Sequence, residues 1–459
     1  MLRVNEILNA CSGKLIGGRE KSRINGFSID SRIVKSGQAF IAIRGGNFDG
    51  HDFIPEAIAK GAKVVICHSH IACLPAGRAY RLSHIGVSVI EVNDTIKAMA
   101  DIARFLRNKY NIPVVAVTGS VGKTTVKEMI ACVLSKKFNV LKNEGTKNNH
   151  IGLPFTLLGL NARHEIAVLE LGTNHPGEIA YLAGICQPNI AVFTNIGPGH
   201  LEFFHDLEGV FREKYSLADN LRLPFVSIMN ADDQFLKKMA LRTKRIDFIA
   251  GYAMDSESDF TASDVKFTKR LEFKVNRRKF SLNTLGRQNI YNALAAISLA
   301  RILGMSYADI AKQLSGFVFP AGRLGFLNFK NVTFIDDTCN SNPLSLKQAI
   351  EALASLKVKG RKIFVMGDML ELGEGKENFH SSAGKEIASA CDQLITVGAL
   401  SKLAGIAALS CGFDPGSVFN CGNSQEAAKI LFERISPRKD DVILVKGSRG
   451  IKLEKIFKK

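Results

Sequence analysis

The residues with the clearest chemical purpose lie in Val114-Val115-Ala116-Val117-Thr118-Gly119-Ser120-Val121-Gly122-Lys123-Thr124-Thr125. A glycine-rich turn between a β-branched apolar run and a helical pattern bends backbone N–H groups inward around an anion. The helix N-terminus adds partial positive charge, and Lys123 adds a full one. Thr124 sits where a hydroxyl reaches a Mg²⁺ on bound phosphates. The stretch from Thr118 to Thr125 (Thr118, Gly119, Ser120, Val121, Gly122, Lys123, Thr124, Thr125) is therefore expected to bind phosphate. The commonest loop of this kind needs a glycine where Val117 stands, so the motif here is the shorter Gly119-x-x-Gly122-Lys123-Thr124. An ordinary strand-to-helix turn with an exposed lysine is the alternative.

Other groups fall where apolar runs end. Ile166–Leu171 carries Glu170, and Ile190–Gly197 leads into His200. Both runs are continuously apolar, as parallel strands covered on two faces are, and ligands bind beyond the C-terminal ends of such strands. A carboxylate oxygen suits Mg²⁺, whereas histidine is an unusual ligand for it. A capping Glu and a hydrogen-bonded His are the bland readings. Asn289 and Asn292 share a helix face, where their amides read an adenine edge or Asn289 caps the helix. Near the N-terminus, Asp30-Ser31-Arg32 and Arg44–His51, with Asn47 and Asp49, suit an anionic or ribose-bearing ligand or a solvated turn.

The elements that must position these groups divide the chain into three, as its 459 residues suggest. Residues 1–95 read as a small α/β unit, with strands at 38–43 and 63–67 around a helix at 53–62. Residues 96–315 open on an amphipathic helix (96–110) and hold the phosphate loop, a strand at 225–230, strand-like alternation at 258–285 and a helix over 286–304. Residues 316–459 alternate strands (332–335, 362–366, 394–397, 418–420, 442–445) with helices (344–356, 382–390, 401–409, 425–435), a second open parallel sheet. The fold class is α/β throughout.

Composition excludes several classes. No apolar run is long enough to span a membrane, and the N-terminus lacks a signal-peptide pattern, so a cytoplasmic protein is expected. Nine cysteines without a Cys-x-x-Cys pair read as free thiols. The net charge of +18 is spread along the chain without interleaved aromatics, which favours small polyanions over nucleic acid.

The short loop resembles that of the Mur ligases and folylpolyglutamate synthases. Further motifs are similar to those of Mur ligases, in order along nearly the whole chain: Asn148-Asn149-x-Ile151-Gly152, Gly177-Glu178-Ile179, Thr194-Asn195-Ile196 with His200-Leu201-Glu202, Asn289-x-x-Asn292-Ala293, Asp336-Asp337-x-x-Asn340-x-Asn342-Pro343, Gly367-Asp368-Met369-x-Glu371-Leu372-Gly373 and Lys446-Gly447-Ser448-Arg449. The set resembles the family member that adds D-alanyl-D-alanine to UDP-N-acetylmuramoyl-tripeptide, because the Asp-Asn-Pro-Arg motif of many tripeptide-forming members is absent.

The resemblance implies a central phosphate-loop ATPase domain, an N-terminal UDP-substrate domain and a C-terminal Rossmann-like domain. It implies an ADP-forming ligase of peptidoglycan synthesis, working as a monomer on small molecules through an acyl phosphate. Lys123 and the loop would bind the ATP phosphates. Two Mg²⁺ would be held by Thr124, Glu170, His200 and a carbamylated lysine, placed at Lys214 by the segment Val210–Ser216. Asn289 and Asn292 would face adenine, and Arg323 and Asp337 would reach ATP from the last domain. Ser31, Arg32, Asn47, Asp49 and His51 would bind the UDP part. Catalysis would fall to Lys123, His200, Lys214 and Arg323. Departures from the family pattern are Gln288, Cys339 and Gly450. The alternatives are another amino-acid ligase of the same fold, a nucleotide-dependent switch, or a nucleic-acid-binding NTPase.

Overall fold

The computed structural model describes residues 2–68, 86–223, 226–242, 248–267 and 270–457. Phe225 and residues 268–269, expected within strands, lie outside the described residues.

In the first unit, β1 (Lys14–Gly17), β2 (Phe27–Ser28), β3 (Ala39–Ile41), β4 (Val64–His68) and β5 (Ser88–Val92) form one sheet of order β1-β5-β4-β3-β2. All pairs are parallel except β1 with β5. The expected helix is Ile54–Ala59.

Helix α1 (Thr95–Lys109) leads out of this unit, started by Asp94, whose carboxylate accepts from the Ile96 and Lys97 N–H groups. Its Arg107 is fully buried. The guanidinium donates to the carbonyls of Cys186 (2.9 Å), Gln187 (3.1 Å) and Tyr110 (3.2 Å) and to Asn189 Oδ1 (3.1 Å). A buried charge needs such a full set of partners.

The central sheet contains β6 (Val114–Thr118), β7 (Val140–Lys142), β8 (Ile166–Glu170), β9 (Ile190–Phe193), β10 (Val226–Asn230), β11 (Phe248–Ala253), β12 (Phe260–Phe267), β13 (Leu271–Val275) and β14 (Arg278–Leu282). Their order is β14-β13-β12-β11-β10-β9-β6-β8-β7, parallel as far as β12, with an antiparallel extension at one edge. Period two sends Val115 and Val117 to the core under α2 (Lys123–Leu134) and α5 (Gln288–Ile302), and Val114 and Ala116 to the core under α1 and α3 (Glu178–Cys186). Both faces of β6 are covered, which is why it reads as an unbroken apolar run. The strand order reverses at β6, with β8 on one side of it and β9 on the other, so the phosphate loop at its C-terminal end lies at the topological switch point where ligands bind in such sheets.

The last sheet has β15 (Gly325–Phe329), β16 (Val332–Asp337), β17 (Lys362–Gly367), β18 (Gln393–Val397), β19 (Val418–Cys421) and β20 (Val442–Lys446), ordered β15-β16-β20-β17-β18-β19. Only the edge pair β15–β16 is antiparallel. The helix expected at 382–390 runs instead over Lys376–Ile387. Polar residues open it, and one of them, His380, faces inward and accepts from the Met369 N–H at 2.9 Å. The segment expected as one helix at 425–435 is α-helical over Ser424–Lys429 and then widens to a π turn over Ile430–Ile435. Among the described residues, no helix is long and apolar enough to cross a membrane.

Candidate active site

Parallel register brings the ends of three strands together: Glu170 pairs with Val117, and Phe193 with Thr118. The loop after β6 is strapped down by the segment after β9. Asn195 Oδ1 accepts from the Val121 N–H at 2.9 Å, and its Nδ2 donates to the Val121 carbonyl at 3.0 Å. Thr194 Oγ1 donates to the same carbonyl at 2.6 Å. Gly119 (φ 147°) and Gly122 (φ 88°) adopt backbone that side chains rarely tolerate, and a Cβ on either would strike Thr194 or Asn292. No side chain caps α2, so its first N–H groups face the cavity.

Lys123 lies half-buried against its own loop, Nζ donating to the Gly119 carbonyl at 2.7 Å and the Ser120 carbonyl at 3.3 Å. Burial lowers its pKa, Glu170 opposes this, and Arg323 adds to it. Glu170 is buried: Oε1 accepts from Asn148 Nδ2 at 2.7 Å, while Oε2 has no protein partner. Thr124 Oγ1 receives Arg323 Nη2 at 3.3 Å, a bond between the central and last units, and the Arg323 Nε is buried without a partner.

Lys214 lies on α4 (Leu207–Asp219), whose neighbouring Glu213 carboxylate accepts from the N–H groups of Gly177 (2.7 Å) and Ile179 (2.8 Å) at the start of α3. This fixes Lys214 in the interior. Burial pushes its amine well below the ordinary lysine value, the Lys123 charge adds to the shift, and Glu213 opposes it. His200 (φ 54°) places Nδ1 2.6 Å from Glu371 Oε2 of the last unit, close enough for a charged contact but not aligned as a hydrogen bond. Burial, followed by Lys123, lowers the imidazole pKa against the pull of Glu371.

From the last sheet come Asp337 and Lys446, paired at 2.6 Å and both buried. Lys446 Nζ also donates to the Asn340 carbonyl at 3.0 Å. A cavity of about 420 Å³ is lined by Ser120 to Thr125, Glu170, His200, Asn289, Asn292, Arg323, Asp337, Cys339, Glu371, Lys446 and Arg449, among others. Thr118, Gly119 and Lys214 are not among its lining residues.

Asn289 and Asn292, expected at the adenine face, both line this cavity. Asn289 Nδ2 is spent on Thr284 Oγ1 (3.2 Å) and the Leu285 carbonyl (2.8 Å), and its Oδ1 accepts from Asn292 Nδ2 (2.9 Å). Asn289 therefore has no free amide donor but keeps one acceptor site on Oδ1, and Asn292 holds its Oδ1 beside Gly122.

A second cavity, of about 990 Å³, lies between the first unit and the loop before Gly152. Ser31, Arg32 and Asn47 line it with Phe48, Phe53 and Phe155. Asp49 and His51, expected as ligand contacts, do not. His51 is buried, with Nδ1 2.5 Å from Asp49 Oδ1 and Nε2 accepting from the His68 N–H at 3.0 Å. Burial raises the pKa of Asp49, yet bonds from His51 and Arg44 hold it at about 2. Both ring nitrogens and the carboxylate are committed to shaping the loop.

Sequence reasoning quoted Asn148, Asn195, Glu371 and Lys446 within motifs but gave them no role. A polar residue at the end of a buried parallel strand was the available signal for Lys446.

Three family descriptions match the chain: "Mur ligase family, catalytic domain" over residues 23–107, "Mur ligase middle domain" over 117–300, and "Mur ligase, glutamate ligase domain" over 322–449. The chain belongs to the Mur ligase family. It is 34% identical over 445 residues to the UDP-N-acetylmuramoyl-tripeptide–D-alanyl-D-alanine ligase of Bacillus subtilis, covering 96% of this chain and 93% of that one. With the Escherichia coli protein of the same name it shares 32% identity, covering 99% and 97%. The fold matches a crystal structure of MurF from Acinetobacter baumannii with a TM-score of 0.86 at 30% identity, covering 99% and 97%. It matches MurF from Thermotoga maritima in complex with ADP with a TM-score of 0.79 at 28% identity, covering 95% and 96%.

Proposed function

We propose that this chain is an ATP-dependent, ADP-forming ligase that joins D-alanyl-D-alanine to UDP-N-acetylmuramoyl-tripeptide in the synthesis of the peptidoglycan precursor. The observation that carries the reading is one cavity in which the phosphate loop faces Arg323 and Asp337, in a chain matched nearly end to end by ligases of that name. The proposed domains are 1–95 for the UDP substrate, 96–315 for ATP and 316–459 for nucleotide and dipeptide contacts.

In this reading the substrate carboxylate attacks the γ-phosphate, ADP departs, and an acyl phosphate remains. The dipeptide ammonium then gives up a proton, the neutral amine attacks the activated carbonyl, and phosphate leaves as the nitrogen loses its second proton to solvent. Lys123 and the N–H groups of α2 hold the β- and γ-phosphates, and Arg323 meets the developing charge from the other side. Thr124, Glu170, His200 and a carbamate on Lys214 would hold two Mg²⁺, which neutralise phosphate charge when bound. The unpartnered Glu170 Oε2 supports this assignment, as does the buried Lys214 amine. A neutral amine adds to CO₂ and loses a proton, giving the anion a metal requires. Closure of the last unit over the cavity excludes the water that would hydrolyse the intermediate. ATP as substrate supports a cytoplasmic location.

The test is phosphate release from ATP with UDP-N-acetylmuramoyl-tripeptide, with and without D-alanyl-D-alanine. Release that requires both, with a product heavier by the dipeptide, is expected. Turnover with another acceptor only would move the protein to a sibling activity.

A further inference from the structure

The cavity contains three carboxylates at the strand ends, and two are accounted for. Glu170 is held by Asn148, and Asp337 is paired with Lys446 at 2.6 Å. Glu371 differs from both. It is half-exposed, and among the described residues its one charged neighbour is a histidine ring rather than a lysine or arginine. Its backbone is held at φ 62°, a region that side chains other than those of glycine and asparagine rarely adopt. The two residues before it are tied down: the Met369 N–H donates to buried His380, and the Leu370 N–H to Ser448 Oγ at 3.0 Å. Backbone forced into such a shape at the rim of a cavity points to a side chain whose direction matters.

The Ser448 bond brings a second group alongside. Arg449 follows Ser448, and a Cβ on Gly450 would lie 2.8 Å from Leu370 Cδ1, so the 370–371 and 448–450 segments are in contact. Arg449 is exposed and lines the same cavity, and among the described residues its guanidinium has no carboxylate partner. A carboxylate whose one charged-group contact is a histidine ring and a guanidinium without a carboxylate partner thus stand, among the described residues, on adjacent loops of the last unit. That pair complements a short zwitterion carrying an ammonium at one end and a carboxylate at the other.

We infer that Glu371 and Arg449 form the acceptor site, Glu371 holding the ammonium of the incoming dipeptide and Arg449 its terminal carboxylate. This rests on the ligase reading above and names the specificity residues of its second step. Contact with His200 sets Glu371 beside the central unit, so the amine is presented toward the phosphate loop rather than to solvent.

The test uses the full-length enzyme and measures KM for each substrate separately. Glu371→Gln is expected to raise KM for D-alanyl-D-alanine at least tenfold, leaving those for ATP and UDP-N-acetylmuramoyl-tripeptide within twofold. Acyl phosphate formed without dipeptide, trapped by hydroxylamine, should be unchanged, which also shows that the variant is folded. The wild type should prefer the dipeptide acid over its C-terminal amide, and Arg449→Gln should erase that preference. A dipeptide KM unmoved in Glu371→Gln, or a loss of trapped acyl phosphate, would overturn the assignment. Wild-type enzyme that rejects D-alanyl-D-alanine altogether would instead refute the ligase reading, and the site with it.

Discussion

Replacing Lys446 by methionine removes the cation that the Asp337 carboxylate faces inside the last sheet. The side chains are 1% and 10% exposed and 2.6 Å apart, so water cannot replace the lost partner. Removing one member of a buried pair costs about 3–5 kcal/mol, because the other charge is left without compensation. That is a large share of the roughly 5–15 kcal/mol that holds a domain together. With a urea m-value of about 2 kcal/mol/M, the midpoint for this part of the chain should fall by roughly 2 M. Hydrogen exchange of β16, β17 and β20, read by mass spectrometry across a urea series, isolates that unfolding from the rest of the protein. A Lys446→Met, Asp337→Leu double variant should recover most of the loss, since no charge is then stranded. A single variant costing less than about 1 kcal/mol, or a double variant as unstable as the single, would refute the reasoning.

Lys123→Ala should reduce ligation at least 10³-fold, a loss of about 4 kcal/mol of transition-state stabilisation, while calorimetry shows UDP-substrate binding retained in the separate cavity. Surviving activity would displace the phosphate site. Lys214→Ala should lose most activity and regain part of it with short carboxylic acids that stand in for the carbamate. In CO₂-free buffer the buried Lys214 amine sheds its proton at a pH where the unfolded chain still holds one, so stability should rise with pH up to the ordinary lysine value. Lys214→Met should remove that slope, which is at most about 1.4 kcal/mol per pH unit, as pH-dependent denaturation would show.

Strands buried on both faces were legible: β6, β8 and β9 are unbroken apolar runs with polar residues only at or just beyond their ends, whereas the half-exposed edge strand β7 gave no such run. β2 has only two residues, too few for a period to register, and β15 carries exposed Phe326 and Leu327 on an edge that no parallel pattern suggests. The site was legible as residue types but not as pairings. Asp49 and His51 have the chemistry of ligand contacts, yet a 2.5 Å contact turns both toward each other. Whether a polar group faces a ligand or a neighbour depends on chain segments far apart in sequence, as with Glu371 and His200, and spacing does not encode that.

The first and central sheets share one hydrophobic core, running from Ile7 and Ile66 through α1 to Leu169, and the four bonds of Arg107 clamp it. The cores of the last sheet draw only Leu285 from the middle of the chain among their buried residues. Two lobes result, one built from the first and central units and one joined to it by the short segment between Ser315 and Gly325. Under the proposed reaction, the phosphate loop and the UDP-substrate cavity both belong to the first lobe, so the two groups that react first are aligned within one body. With the acceptor site proposed above, the third reactant would be carried by the other lobe, so its delivery and the sealing of the chamber would be a single movement.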